Sequence, residues 1–99
     1  MHIVKYKDIQ RHSASEQAGM LMKMAMEEDD NTIGVDLGDD VVGFFRIETT
    51  DVVDELRFSE WANITGEEYF DAETEGDDYT AEDVLSLIEH RLQMFHQAF

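Results

Sequence analysis

Negative charge is crowded into one part of this chain. Between residues 27 and 89 there are 22 Asp and Glu against only Arg46 and Arg57, a balance of −20. The flanks, residues 1–26 and 90–99, are slightly positive at +2 and +1, so the 99 residues carry −17 in all. Stretches with this charge density often stay unfolded, because repulsion adds to the entropy cost of ordering. Here the acids alternate with Ile33, Val35, Leu37, Val41, Phe44, Phe45, Ile47, Leu56, Phe58 and Trp61. Those are strand-forming side chains, and 42% of the chain is apolar. The reading is a single folded domain over residues 1–99, with its acids on the surface and a standing electrostatic cost at low salt.

The same composition excludes several functions. With no Cys there are no disulfides, thiol nucleophiles or Cys-ligated metals. No apolar run approaches the roughly 20 residues that span a bilayer, and no basic-then-apolar leader opens the sequence. The sign of the charge opposes direct binding to nucleic acid or to anionic lipid. The expectation is a cytoplasmic acidic domain, not an enzyme, with no cofactor and no resident metal.

Periodicity supplies the elements. His2–Tyr6 reads as a short strand. Ser13 and Glu16 form a capping box that opens a helix to about Glu28. The acids Glu27–Asp30 at its end oppose the helix dipole, so they are expected to fray into a loop. Thr32–Leu37 and Val41–Thr49 alternate as a hairpin around Gly38-Asp39-Asp40, with Val41, Phe45 and Ile47 inward. Glu55–Ile64 reads as the next strand, although Val52, Val53 and Leu56 also fit a helix face starting at Thr50. Residues 65–79 read as an acidic loop, opening at most with one helical turn. Thr80, with Asp83 in the capping-box position, opens a helix to about Ala98. Its stripe is Val84, Ile88, Arg91 or Leu92, Phe95 and Phe99. The order β-α-β-β-β-α gives an α+β fold, an antiparallel sheet of three to four strands with two helices on one face. The other sheet face would be free and would carry Asp36, Phe44, Arg46, Glu48 and Arg57 or Glu60.

Other constellations in the chain have plainer roles beside their functional ones. Asp71, Glu73, Glu75, Asp77 and Glu82 fall at positions 1, 3, 5, 7 and 12 of a loop with Gly76 at position 6, which resembles an EF-hand. The longer Glu at positions 3 and 5, Asp78 where an aliphatic residue is usual, and the lack of a second hand depart from that family. Met20, Met22, Met24 and Met26 alternate on the first helix, where they fit core packing or, alternatively, a homodimer seam. The C-terminal helix is the other candidate seam. His2, His12, His90 and His96 are scattered and read as surface residues. Ser13 and Ser15 serve as caps, and carboxylate pairs such as Glu67-Glu68 have no marked pocket. Trp61, Tyr69 and Phe70 fit aromatic anchors set in the acidic field, with sheet core the plainer role for Trp61.

The acidic surface is the strongest feature. A domain of this size is ~30–35 Å long, and that length of duplex DNA carries roughly 18–20 charges. The −20 on residues 27–89 matches it. In size, charge and lack of Cys the chain resembles the DNA-mimicking inhibitors of phages and mobile elements, such as anti-restriction and some anti-CRISPR proteins. That resemblance implies a protein–protein inhibitor whose partner is a basic DNA- or RNA-binding protein or nuclease. The residues expected to meet it are Asp36, Asp39, Asp40, Glu48, Asp51, Asp54 and Glu55 near the turns. Beside them stand Glu67, Glu68, Asp71, Glu73, Glu75, Asp77 and Asp78. An immunity protein or antitoxin against a basic nuclease toxin fits the same physics. The rival classes are a salt-adapted halophile domain and a degenerate single calcium hand.

Overall fold

The computed structural model describes residues 1–38, 40–64, 67–73 and 79–98, of which 63–64, 67–73 and 95–98 are described by backbone alone. Strand β1 (His2–Lys5) leads through the single turn α1 (Tyr6–Ile9) into α2 (Ala14–Glu27). Strands β2 (Thr32–Gly38), β3 (Val41–Thr49), β4 (Leu56–Ile64) and β5 (Glu67–Glu73) follow, and α3 (Ala81–Ala98) closes the fold. The sheet order is β1-β2-β3-β4-β5.

The α+β class and the two packed helices are as the sequence reading expects. Two features refine it. The sheet is mixed, because β1 pairs parallel to β2 while the other neighbours are antiparallel. A strand, helix and strand in succession form a crossover, and such a connection joins parallel neighbours. The sheet also gains a fifth strand, since Glu67–Glu73 pairs with β4 where the sequence suggests a loop. The open edge of β4 supplies a ladder that overrides the weak local propensity of these residues. A row of acids on an edge strand also blocks pairing with another chain.

Helix boundaries follow the caps. The Glu16 N–H donates to Ser13 Oγ at 3.2 Å, and the Ser13 hydroxyl donates to Glu16 Oε1 at 3.1 Å. Hydrogen bonds to the Glu16 carboxyl, first from the Ser13 hydroxyl and then from the Ser13 backbone, hold it below the usual carboxylate range. At α3 the box is reciprocal: the Asp83 N–H donates to Thr80 Oγ1 at 3.2 Å, and the Thr80 N–H to Asp83 Oδ2 at 3.4 Å. Gln17 is buried yet satisfied, its side-chain amide donating to the carbonyls of Ile9 at 2.8 Å and His12 at 3.1 Å. It ties the end of α1 to the start of α2.

The core lies between the helices and one sheet face. Strands contribute Ile33, Val35, Phe45, Ile47, Leu56 and Phe58; α2 contributes Ala18, Leu21 and Ala25; α3 contributes Val84, Ile88 and Leu92. Spacings of three and four residues put each helical set on one stripe. Met20, Met22 and Met24 pack half-buried against this core, while Met26 stays exposed. The methionines therefore flank the stripe, as the core-packing reading expects for Met20, Met22 and Met24. Glu60 also points to the helix side. It is buried and paired with Arg91, Nη2 to Oε1 at 2.6 Å and Nε to Oε2 at 3.1 Å. This bidentate contact locks α3 to β4.

Candidate functional site: the acidic end

The direction of each element decides where the carboxylates go. Helix α2 runs toward the end of the domain where β3 stops and β4 starts. Asn31 fixes this: its side chain donates to the Ile47 carbonyl at 2.8 Å, and its own carbonyl accepts from the Ile47 N–H at 3.0 Å. Asn31 adopts a left-handed backbone, φ 56°, which Asn tolerates better than most residues. The Thr32 N–H and hydroxyl then bond Asp30, closing the turn. Thus Glu28, Asp29 and Asp30 leave the helix for a turn while Glu27 ends it, and the turn is held against β3.

The β3–β4 loop sits at the same end. Thr50 Oγ1 accepts from the Val52 N–H at 3.1 Å, and the Glu55 N–H bonds the Val52 carbonyl at 3.3 Å. Asp54 takes φ 67°. The loop is therefore a fixed turn and not the helical alternative from Thr50. It exposes Val52 and Val53, the latter at 85%. Leu56 and Tyr79 exchange both backbone hydrogen bonds, 2.7 and 3.0 Å, which brings the start of α3 alongside. Glu82 and Asp83 in its first turn lie here, where the helix dipole favours them.

One end of the domain thus gathers Glu27 to Asp30, Glu48, Asp51, Asp54, Glu55, Glu82 and Asp83. Between the three segments lies a cleft of about 640 Å³, lined by Met22, Met26, Val52, Val53 and Leu56 among others. Exposed Asp54 and Glu82 and half-buried Glu55 also line it.

The residues nominated from sequence divide by location. Glu48, Asp51, Asp54 and Glu55 belong to this end. Asp36 and Asp40 lie at the other end, at the β2–β3 turn, where the Gly38 N–H donates to Asp36 Oδ1 at 2.9 Å and Asp40 takes φ 63°. Glu67, Glu68, Asp71 and Glu73 are on β5, whose register sets Glu67 beside Ile64 and Glu73 beside Ser59. The acidic edge strand therefore runs from the β2–β3 turn toward the acidic end. Asp39, Glu75, Asp77 and Asp78 lie outside the described residues. Sequence reasoning left Glu27–Asp30 and Asp83 out of the site, and took Glu82 only as a calcium ligand.

The free sheet face is less acidic than expected. Cross-strand register puts Arg57, and not Glu60, on it, opposite Glu48. Its middle is aromatic: Phe44 and Trp61 stack at 5.3 Å, and the Arg46 guanidinium sits 5.3 Å from the Trp61 ring centroid. A Cβ at Gly34 would lie 3.1 Å from Ile3 and 3.2 Å from Phe44, so the glycine lets those side chains close over β2. Among the residues described with their side chains, the carboxylates therefore gather mainly at the acidic end, and β5, with four acids in its sequence, forms the sheet edge. Of the EF-hand spacing, Asp71–Glu73 lie in a hydrogen-bonded strand, and a strand instead of a helix leads into them. Among the described residues no group of three metal-ligating side chains converges, and no helix is long and apolar enough to cross a membrane.

Crowded carboxylates repel until salt screens them. Raising NaCl from ~0.01 M to ~0.5 M shortens the Debye length from about 30 Å to a few ångströms. The midpoint of thermal unfolding is expected to rise by about 5 °C across that range. A midpoint indifferent to salt would mean that the charges are too dispersed to interact. A chain already unfolded at ~0.15 M would instead favour the halophile reading. The chain matches no protein-family model, no curated protein and no solved structure, so its site is read from its own geometry.

Proposed function

We propose that the protein is a non-enzymatic inhibitor whose acidic band mimics nucleic acid. Its partner is a basic DNA- or RNA-binding protein or nuclease in the cytoplasm, engaged in the manner of phage anti-restriction or anti-CRISPR proteins. The supporting observation is the convergence of α2, the β3–β4 loop and α3 on one acidic end, joined to the acid-rich edge strand. The long axis of the domain is 39 Å. Duplex DNA of that length carries about 23 phosphate charges at one per ~1.7 Å, comparable to the −20 of residues 27–89. Such a surface would steer a basic groove toward itself and exclude the nucleic acid that normally fills it.

The test is competition. Immobilised protein is expected to retain basic nucleic-acid-binding proteins at low salt, to release them at high salt, and to release them when duplex DNA or RNA is added. Neutralising the acidic end with Glu27→Gln, Asp51→Asn, Asp54→Asn and Glu82→Gln together should slow association on the order of tenfold. Retention of no basic protein at low salt, or retention indifferent to added nucleic acid, would sink mimicry.

A further inference from the structure

The acidic end holds a feature that charge mimicry alone does not need. Asp51 and Asp54 bracket Val52 and Val53, which are 54% and 85% exposed. A β-branched pair this exposed, set between two carboxylates in a tight turn, adds nothing to the core. The same cleft is lined by Met26, 39% exposed, by half-buried Met22 and by buried Leu56. The cleft volume of about 640 Å³ is within the usual size of a ligand pocket, roughly 300–1,000 Å³. Unbranched thioethers adapt their shape to different occupants, a property used on peptide-binding surfaces.

We propose that this groove seats the apolar side chains of a cationic amphipathic peptide segment, whose basic residues meet the surrounding carboxylates. The proposal rests on the acidic-surface reading and deepens it by naming the part of the partner that docks. Charge complementarity selects the occupant. A second copy of this chain would bring another −17 to a rim already lined by Asp54 and Glu82. A polyamine or free cation would leave the valines and methionines wet. A basic segment with aliphatic anchors satisfies both halves: its cations lie on the rim and its apolar groups dry the cleft.

Two synthetic probes of equal charge separate anchoring from attraction: a short Lys/Leu amphipathic peptide and an oligolysine. The Lys/Leu peptide is expected to bind wild-type protein about tenfold more tightly, the value of one well-buried aliphatic anchor. It should also shift the methyl resonances of Met22 and Met26. The double variant Val53→Ser, Met26→Gln alters only exposed positions, and its fold is checked by circular dichroism. It should lose that tenfold preference while binding oligolysine unchanged. Equal binding of both peptides to wild type would overturn the groove and leave the acidic surface standing. Binding of neither peptide at low salt would overturn both readings. Sedimentation showing a wild-type dimer that the double variant abolishes would assign the groove to a second copy and overturn the peptide proposal.

Discussion

Phe58→Ala lowers the unfolding free energy by about 3–5 kcal/mol. Phe58 is fully buried, stacks on Phe45 at 6.0 Å and pairs across the ladder with Ile47. Truncation removes the transfer free energy of the ring and leaves a cavity between sheet and helices that close packing only partly refills. A domain of this length has about 5–15 kcal/mol in total, and this one also bears its own repulsion. The variant should therefore populate unfolded chain at low salt and recover as salt rises. Urea unfolding at two ionic strengths measures both effects. A loss under about 1 kcal/mol would mean that the site collapses around the smaller side chain, contrary to the packing described.

Glu60→Ala costs about 2–4 kcal/mol, for a different reason. The substitution deletes the carboxylate and leaves the Arg91 guanidinium without its bidentate acceptor. Breaking a fully buried ion pair costs about 3–5 kcal/mol. Arg91 keeps 19% of its side-chain surface in water, which lowers the figure. The pair as a whole is not the source of stability, because each ion is desolvated to form it. Glu60→Leu combined with Arg91→Leu should therefore be close to wild type. Chemical denaturation of the two singles and the double gives the coupling directly. A double variant as unstable as Glu60→Ala would show that the pair contributes net stability.

Local rules made much of this fold legible in the sequence. Both capping boxes, Ser13 with Glu16 and Thr80 with Asp83, sit where spacing puts them, because a cap needs only four residues of context. The inward set Val41, Phe45 and Ile47 follows from strict alternation. The parity of β4 was ambiguous because apolar residues stand on both of its sides: Leu56 and Phe58 face the helices, and Trp61 faces out. Arg57 and Glu60 could be told apart only by register with β3. Strand β5 was hidden by its charge, since Glu67–Glu73 has only Tyr69 and Phe70 as strand formers and gains its place from the edge it completes. The acidic end was missed for a topological reason. Glu27–Asp30 and Glu82 are more than fifty residues apart in sequence, and only the opposed running directions of α2 and α3 join them. That direction follows from the parallel pairing the sequence reading did not expect: a helix between parallel β1 and β2 must run back along the sheet, delivering Asp30 to the start of β2 and the end of β3.

The reversal also governs how the molecule travels. Lys5, Lys7 and Arg11 remain near the start of α2, while Glu27 to Asp30, Asp51, Asp54, Glu82 and Asp83 lie where α2 finishes. In the field of a large cation such a body experiences a torque as well as a pull, and turns while still several ångströms of water separate the surfaces. For the basic partner proposed above, encounters would then be pre-aligned, and the fraction of collisions that mature into a complex would be set partly by rotation during approach.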